Sequence, residues 1–219
     1  MQYLTILGRQ PAISIAELER VFGSDNVSVL SSFGAKVNTD NLDIQKIGGS
    51  LKAGLIIDEI NAANWLEVSK YTTNYLQKEL SNYEGKITVG ISTYGFDISG
   101  REVQKTGIIL KNTLKKSGVN IRLIPSIDTA LNTAVSHHNK LGLSDNKIEV
   151  LIIKTDYGKT VIAKSTGAQN ITALANRDQK RPKRDPFVGM LPPKLAQIMV
   201  NLATGQNNNG TLLDPFCGT

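Results

Sequence analysis

The stretch from Arg177 to Thr219, RDQKRPKRDPFVGMLPPKLAQIMVNLATGQNNNGTLLDPFCGT, constrains this chain more than any other. It reads as a basic connector, an amphipathic helix opened by Pro192-Pro193, and a short apolar strand at Thr211–Leu213 that runs into Asp214-Pro215-Phe216-Cys217-Gly218. Proline fits a helix start because the N–H it lacks has no intrahelical partner there. Leu195, Ile198, Met199 and Leu202 then form an apolar stripe that ends near Gly205. A strand that ends in an acid and a glycine-containing turn belongs to the carboxyl edge of an open α/β sheet, where ligands bind. The strand is expected to be central and buried, with Asp214 the first polar group at its tip. Gly218 lets a ligand approach the backbone closely. Such a tip suits S-adenosylmethionine, a nucleotide or a sugar phosphate. Asp-Pro-Phe-Cys-Gly alone is a weak signal, since Asp185-Pro186-Phe187 repeats its first three letters after basic residues instead of an apolar strand.

With 219 residues the chain has room for one large domain, or two small ones and part of a third. No apolar run approaches a membrane span. The start, MQYLTILGRQPAIS, lacks the basic segment and small-residue cleavage site of a signal peptide, so a cytoplasmic location is expected. The single cysteine, Cys217, gives no internal disulfide and no metal framework, and no base pairs with it to make a nucleophile. Charge is uneven. Residues 1–60 carry 5 Lys+Arg against 7 Asp+Glu and the remainder 20 against 12, for a net +6 overall. A basic surface confined to part of a chain points to an anionic partner, of which nucleic acid is the commonest.

Along the chain, Tyr3–Leu7 reads as a strand and Pro11–Phe22 as a helix closed by Gly23, with Ser14 and Glu17 fitting a capping box. Val27–Leu30 and Phe33–Val37 are short strands around a Ser-Ser turn, and Ile44–Ile47 fits a further strand. Leu51–Ile60 is apolar enough for either a helix or a strand. Together these suggest a compact α+β unit of ferredoxin-like type. Trp65–Leu80 reads as a helix whose Trp65, Val68, Thr72, Tyr75 and Leu76 share a packing face. Lys86–Ser92 is a strand. Ser99 and Glu102 form a second capping box, for a helix with Val103, Gly107, Leu110 and Leu114 on one stripe and Gly118 at its end. Val119–Ile124 is a strand stopped by Pro125. Asp128 or Thr129 caps a helix through Leu131, Val135, His138 and Leu141. Glu149–Lys154 and Thr160–Ser165 are strands joined by an Asp156-Tyr157-Gly158 turn. His137 and His138 are adjacent and so diverge, unlike a helical zinc pair four residues apart. From Ala168 to Met190 the periodicity lapses. Two basic groups can meet phosphate: Lys105, Lys111, Lys115 and Lys116 on the helix after Ser99, and Arg177, Lys180, Arg181, Lys183 and Arg184 on the connector.

The run RDQKRPKRD…GMLPPKLAQIMVNLA…LLDPFCGT, with TGAQNITALANRD at Thr166–Asp178, closely resembles the junction in the THUMP-domain tRNA guanine-N2 methyltransferases, which act at tRNA position 10. The resemblance implies a ferredoxin-like domain over 1–60 and an α/β THUMP domain that grips the tRNA acceptor end over 61–167. It further implies a basic linker over 168–190 and the first helix and strand of a Rossmann-like methyltransferase domain over 191–219. It implies S-adenosylmethionine as methyl donor, held by Asp214, Pro215, Phe216, Cys217 and Gly218, with Pro193 alongside. The departure is that Pro192-Pro193 follows Leu191 and cannot serve as the family's (Asp/Asn)-Pro-Pro-aromatic motif, so residues 1–219 are expected to be inactive alone. The alternatives are a stand-alone RNA-binding module without catalysis, and part of a ribosomal RNA or DNA methyltransferase.

Overall fold

The computed structural model describes residues 1–181, 189–206 and 210–215. In chain order the elements are β1 (Gln2–Leu7), α1 (Pro11–Phe22), β2 (Val27–Ser31), β3 (Gly34–Asn38), β4 (Ser50–Ile60), α2 (Trp65–Leu80) and β5 (Lys86–Tyr94). Then come α3 (Gly100–Lys116), β6 (Asn120–Leu123), α4 (Thr133–His138), β7 (Lys147–Lys154), β8 (Thr160–Ala168), α5 (Ile171–Gln179) and α6 (Pro193–Thr204). The strands form one eight-stranded sheet in the order β2-β3-β1-β4-β8-β7-β5-β6. The half built from β1 to β4 is antiparallel, whereas β5 pairs in parallel with both β6 and β7. The two halves meet where β4 pairs with β8, so one continuous sheet crosses the boundary expected near residue 60.

All three long helices of the first two-thirds pack on one face. Leu18 of α1 lies on Tyr3, Val37 and Ala53, while α2 and α3 bury Val68, Leu76, Val103, Leu110 and Leu114 on Ile87, Val89, Val150 and Ile152. Cross-strand register puts both clusters on one side, since Tyr3 pairs with Leu55, Leu55 with Lys164 and Lys164 with Val150. The opposite face buries Leu4, Ile6, Leu30, Leu151, Ile153, Val161 and Ala163 with no helical residue among them. It is closed by curling. The register shifts twice along β4, between Ala53 and Gly54 and between Ile56 and Asp58, and such bulges sharpen strand bend and twist. The β2–β3 corner thereby reaches the far half. Asp156 donates its N–H to the Leu30 carbonyl (2.9 Å), and the Phe33 and Tyr94 rings lie 6.5 Å apart. Gly34 has no Cβ because Ile153 occupies that space.

Four local expectations are corrected. Ser14 and Glu17 do not cap α1, which starts at Pro11 after Gln10; both are buried further along it. Ser14 Oγ donates to the Gly49 carbonyl (2.7 Å), and Glu17 accepts from the N–H groups of Gly48 (2.8 Å) and Gly49 (2.7 Å). Ile44–Lys46 is a 3-10 turn, because the Asp43 carboxylate accepts from Gln45 N–H (3.0 Å) and favours local bonding over a ladder. The helix expected from Asp128 or Thr129 is only α4, capped by Asn132. Its forerunner is held as loop, with the Thr129 carbonyl taken by Thr93 N–H (2.9 Å). Thr211–Leu213 is not a strand and not buried, Leu213 being 81% exposed. No described strand pairs with it, and an apolar triplet without a ladder has nothing to hold it extended. Two further segments resolve plainly. Residues 51–60 lie in strand β4, and the patternless stretch after Ala168 contains α5.

The last helix is tied to the first. Asn201 Nδ2 donates to Glu17 Oε1 (2.7 Å) and to the Lys46 carbonyl (2.8 Å), and Gln197 donates to the Gln45 carbonyl (2.8 Å). Arg20 Nε donates to the Leu202 carbonyl (3.0 Å). A side chain at Gly48 would collide with the Lys194 carbonyl and Ile198, so this glycine sets the closeness of the dock.

Candidate nucleic-acid interface

The surface that stands out chemically is the outer side of α3. Its start is fixed by the Ser99–Glu102 capping box, in which Glu102 Oε2 accepts from Ser99 N–H (2.8 Å). That backbone bond is the chief reason the Glu102 carboxyl titrates below its ordinary value. The one acid on this helix is therefore used in the cap. Leu110, Leu114 and Val103 face the sheet, and Gly107 lets Leu123 of β6 pack against the helix backbone. What remains outward is Arg101, Lys105, Ile108, Ile109, Asn112, Lys115 and Lys116, all exposed, with Lys111 half-buried on the flank. Arg101, Lys105, Asn112 and Lys116 follow helical spacing down one side, and none of the ion pairs among the described residues involves Arg101, Lys105, Lys111, Lys115 or Lys116.

At its amino end this face meets the loop after β6. Gly100 has no Cβ because the Ile127 carbonyl lies against it. Ser126 N–H donates to Gln104 (3.3 Å) and Ser126 Oγ to the Asp128 carbonyl (2.8 Å), which pins the loop. Ile127 is thereby held outward and is 96% exposed. With Arg101, Gln104, Lys105, Ile108 and Ile109 it lines an open hollow of about 490 Å³. Arg101 and Ile127 were not visible as site residues in the sequence. The readable signal was Arg101 one turn before Lys105; nothing in the sequence marks Ile127.

The connector group is divided. Arg177 and Lys180 are exposed on or just after α5. Arg181 is engaged, pairing with Asp178 (3.1 Å) and donating to the Leu191 carbonyl (2.6 Å), so it ties α5 to the approach to α6. Lys183 and Arg184 lie outside the described residues. The two basic groups are not brought together: α3 packs with α2, β5 and β6, and α5 with α4 and α6. The His137 and His138 rings lie 5.5 Å apart, tilted by 52°, and burial, then the neighbouring ring, lowers the His137 pKa.

Of the residues expected around S-adenosylmethionine, Phe216, Cys217 and Gly218 lie outside the described residues. Pro193 lines an open cleft of about 560 Å³ with Arg177, Arg181, Leu191, Ala196, Gln197 and Val200. Asp214 and Pro215 are exposed and are not among its walls. Lys194, half-buried on the first turn of α6, has its ammonium pKa lowered by burial. The described residues do not enclose a methyl donor, and no transfer step follows from them.

The continuous sheet, its parallel β5–α3–β6 unit and the appended α5–α6 pair define the fold class. In this the chain is similar to part of the crystal structure of TrmN from Thermus thermophilus, with TM-score 0.51 and 13% identity over 93% of this chain and 55% of that one. Also similar are PH1313 from Pyrococcus horikoshii Ot3 (TM-score 0.43, 12% identity, 77% of this chain and 55% of that one) and a possible methylase from Clostridium difficile 630 (TM-score 0.43, 12% identity, 96% and 58%). The chain spans little more than half the length of these solved structures. No protein-family profile and no curated protein matches the sequence. No helix among the described residues is long and apolar enough to cross a membrane.

Proposed function

We propose that residues 1–219 are the RNA-binding front of an S-adenosylmethionine-dependent RNA methyltransferase, with tRNA as substrate and guanine N2 as the methylated atom. On this reading the half built on β5 to β8 with α2 and α3 is a THUMP domain. The β1–β4 half is a ferredoxin-like platform, and α6 is the first helix of the catalytic domain. The observation that carries the RNA assignment is the outer side of α3, where four exposed cations with no ion pair among the described residues border exposed isoleucines. A phosphate backbone engages such cations by releasing counterions, and nucleobases contact apolar side chains where they are unpaired. Fold likeness to TrmN and the Asp214–Gly218 sequence support the methyltransferase assignment. A guanine amine is a poor nucleophile and must be flipped out and aligned with the donor methyl, which the described residues do not do.

Filter binding of residues 1–219 to whole tRNA, tRNA trimmed of its 3′ end and a plain RNA duplex tests the reading. The expected order is whole tRNA tightest, trimmed tRNA weaker and duplex weakest. Equal affinity for all three would leave only non-specific charge attraction.

A further inference from the structure

One buried ion pair is unused by the reading above. Lys52, on β4, and Glu149, on β7, have side chains 2% and 0% exposed and are in direct contact. Lys52 Nζ also donates to the Leu131 carbonyl (2.7 Å), and Ser92 Oγ on β5 lies 3.4 Å from Nζ. Ser92 Oγ donates to Glu149 Oε1 (2.6 Å) and accepts from Leu131 N–H (3.0 Å). Glu149 Oε2 has no hydrogen-bond partner among the described residues. Lys52 comes from the half that carries α6, whereas Glu149, Ser92 and Leu131 come from the half that carries α3. To reach Glu149 the lysine crosses β8, at the seam where the two halves join.

Desolvating two charges offsets most of their attraction, so a buried pair adds little stability over apolar residues of the same volume. What it adds is intolerance of misplacement. The β4–β8 seam has two register shifts and includes Gly54, which has no side chain to specify register. A slip of one residue would turn Lys52 to the other face of the sheet. A slip of two would move it away from Glu149 and leave two unpaired charges in the core.

We propose that Lys52 and Glu149 are positioning residues that pin the β4–β8 register and so fix the distance between the cationic side of α3 and the docked α6. The groups they bond to, Ser92 and Leu131, belong to the same chain, so the pin acts in the free protein and does not rest on the RNA assignment.

The test is electron–electron distance measurement between spin labels at Lys116→Cys on α3 and Ala203→Cys on α6, in a Cys217→Ser background. With Lys52 and Glu149 intact a single narrow distribution is expected. The volume-conserving double replacement Lys52→Met with Glu149→Leu should keep cooperative melting and broaden or shift that distribution. RNA affinity of the same double replacement made without the label sites should stay within about twofold of the parent, since α3 is then unaltered. A distribution as narrow as the parent's in the folded double variant would overturn the proposal. Ser92→Ala, which removes only the hydroxyl between Glu149 and Leu131, provides a second arm should the double variant not fold. It should broaden the distribution partway, and an unchanged distribution there would overturn the proposal as well.

Discussion

In α1 the serine and glutamate three residues apart are Ser14 and Glu17, both buried, and in α3 they are Ser99 and Glu102, both exposed. The first pair holds the Gly48-Gly49 turn and, through Asn201, the last helix of the chain. The second pair holds only its own helix end. The difference extends to the units around them. Around the β1–β4 half, side-chain amides and carboxylates are spent on contacts within the chain: Gln45 with Ala168 and Asn170, Gln169 after β8 with Ile47 and Gly48, Glu17 with α6. On α3 the outward cations have no such contacts among the described residues. One half is a platform and the other presents a surface.

That contrast breaks first at the seam. Lys52→Ala leaves Glu149 buried and unpaired and should cost about 3–5 kcal/mol of unfolding free energy, the usual cost of removing one partner of a buried pair. Urea denaturation followed by circular dichroism reads it; a loss under about 1 kcal/mol would mean the pair is not buried in solution.

Next comes the platform. Glu17→Ala strands the Gly48 and Gly49 N–H groups and the Asn201 amide, and should cost about 3 kcal/mol. Hydrogen exchange should also show α6 amides opening more readily than those of α3, because the dock loosens before the rest. Equal protection of α6 in parent and variant would remove Glu17 from the dock.

Smaller still is the cap. Ser99→Ala should cost about 1 kcal/mol, measured by thermal melting. The sign of its pH dependence follows from Glu102, whose carboxyl pKa lies below the ordinary 4.5 in the folded chain. The Glu102 contribution is present above that value and fades as pH falls through the folded pKa. A parent-to-Glu102→Gln difference that grows on acidification would contradict the cap.

These residues also show what was legible in the sequence. Ser99–Glu102 was readable because turn residues precede it and an apolar stripe follows it directly. Ser14–Glu17 has the same spelling, but Pro11 is the better start signal, and it puts Ser14 inside the helix. The purpose of Glu17 depends on Gly48 and Gly49, some thirty residues away, and no local pattern announces such a contact. Residues 51–60 were ambiguous because their strand is buried toward both faces at one end, which erases the alternation that marks a half-exposed strand. Nothing in the sequence marks Lys52 in that run, and only its neighbours across the sheet reveal it as a core residue. The cations of α3 were legible as a group, whereas the hollow at its amino end was not, since Ile127 owes its exposure to Gly100 and Ser126.

Whether α3 presents its cations to RNA is read from the salt dependence of tRNA binding by residues 1–219 and by a Lys105→Ala, Lys115→Ala, Lys116→Ala variant, titrated between about 50 and 200 mM monovalent salt. All three side chains are exposed and none is in an ion pair among the described residues, so the variant should melt with the parent. Binding should weaken and the log–log salt slope should flatten by about 2, close to one counterion for each cation that meets a phosphate. An unchanged slope and affinity in the triple variant would contradict RNA contact by α3.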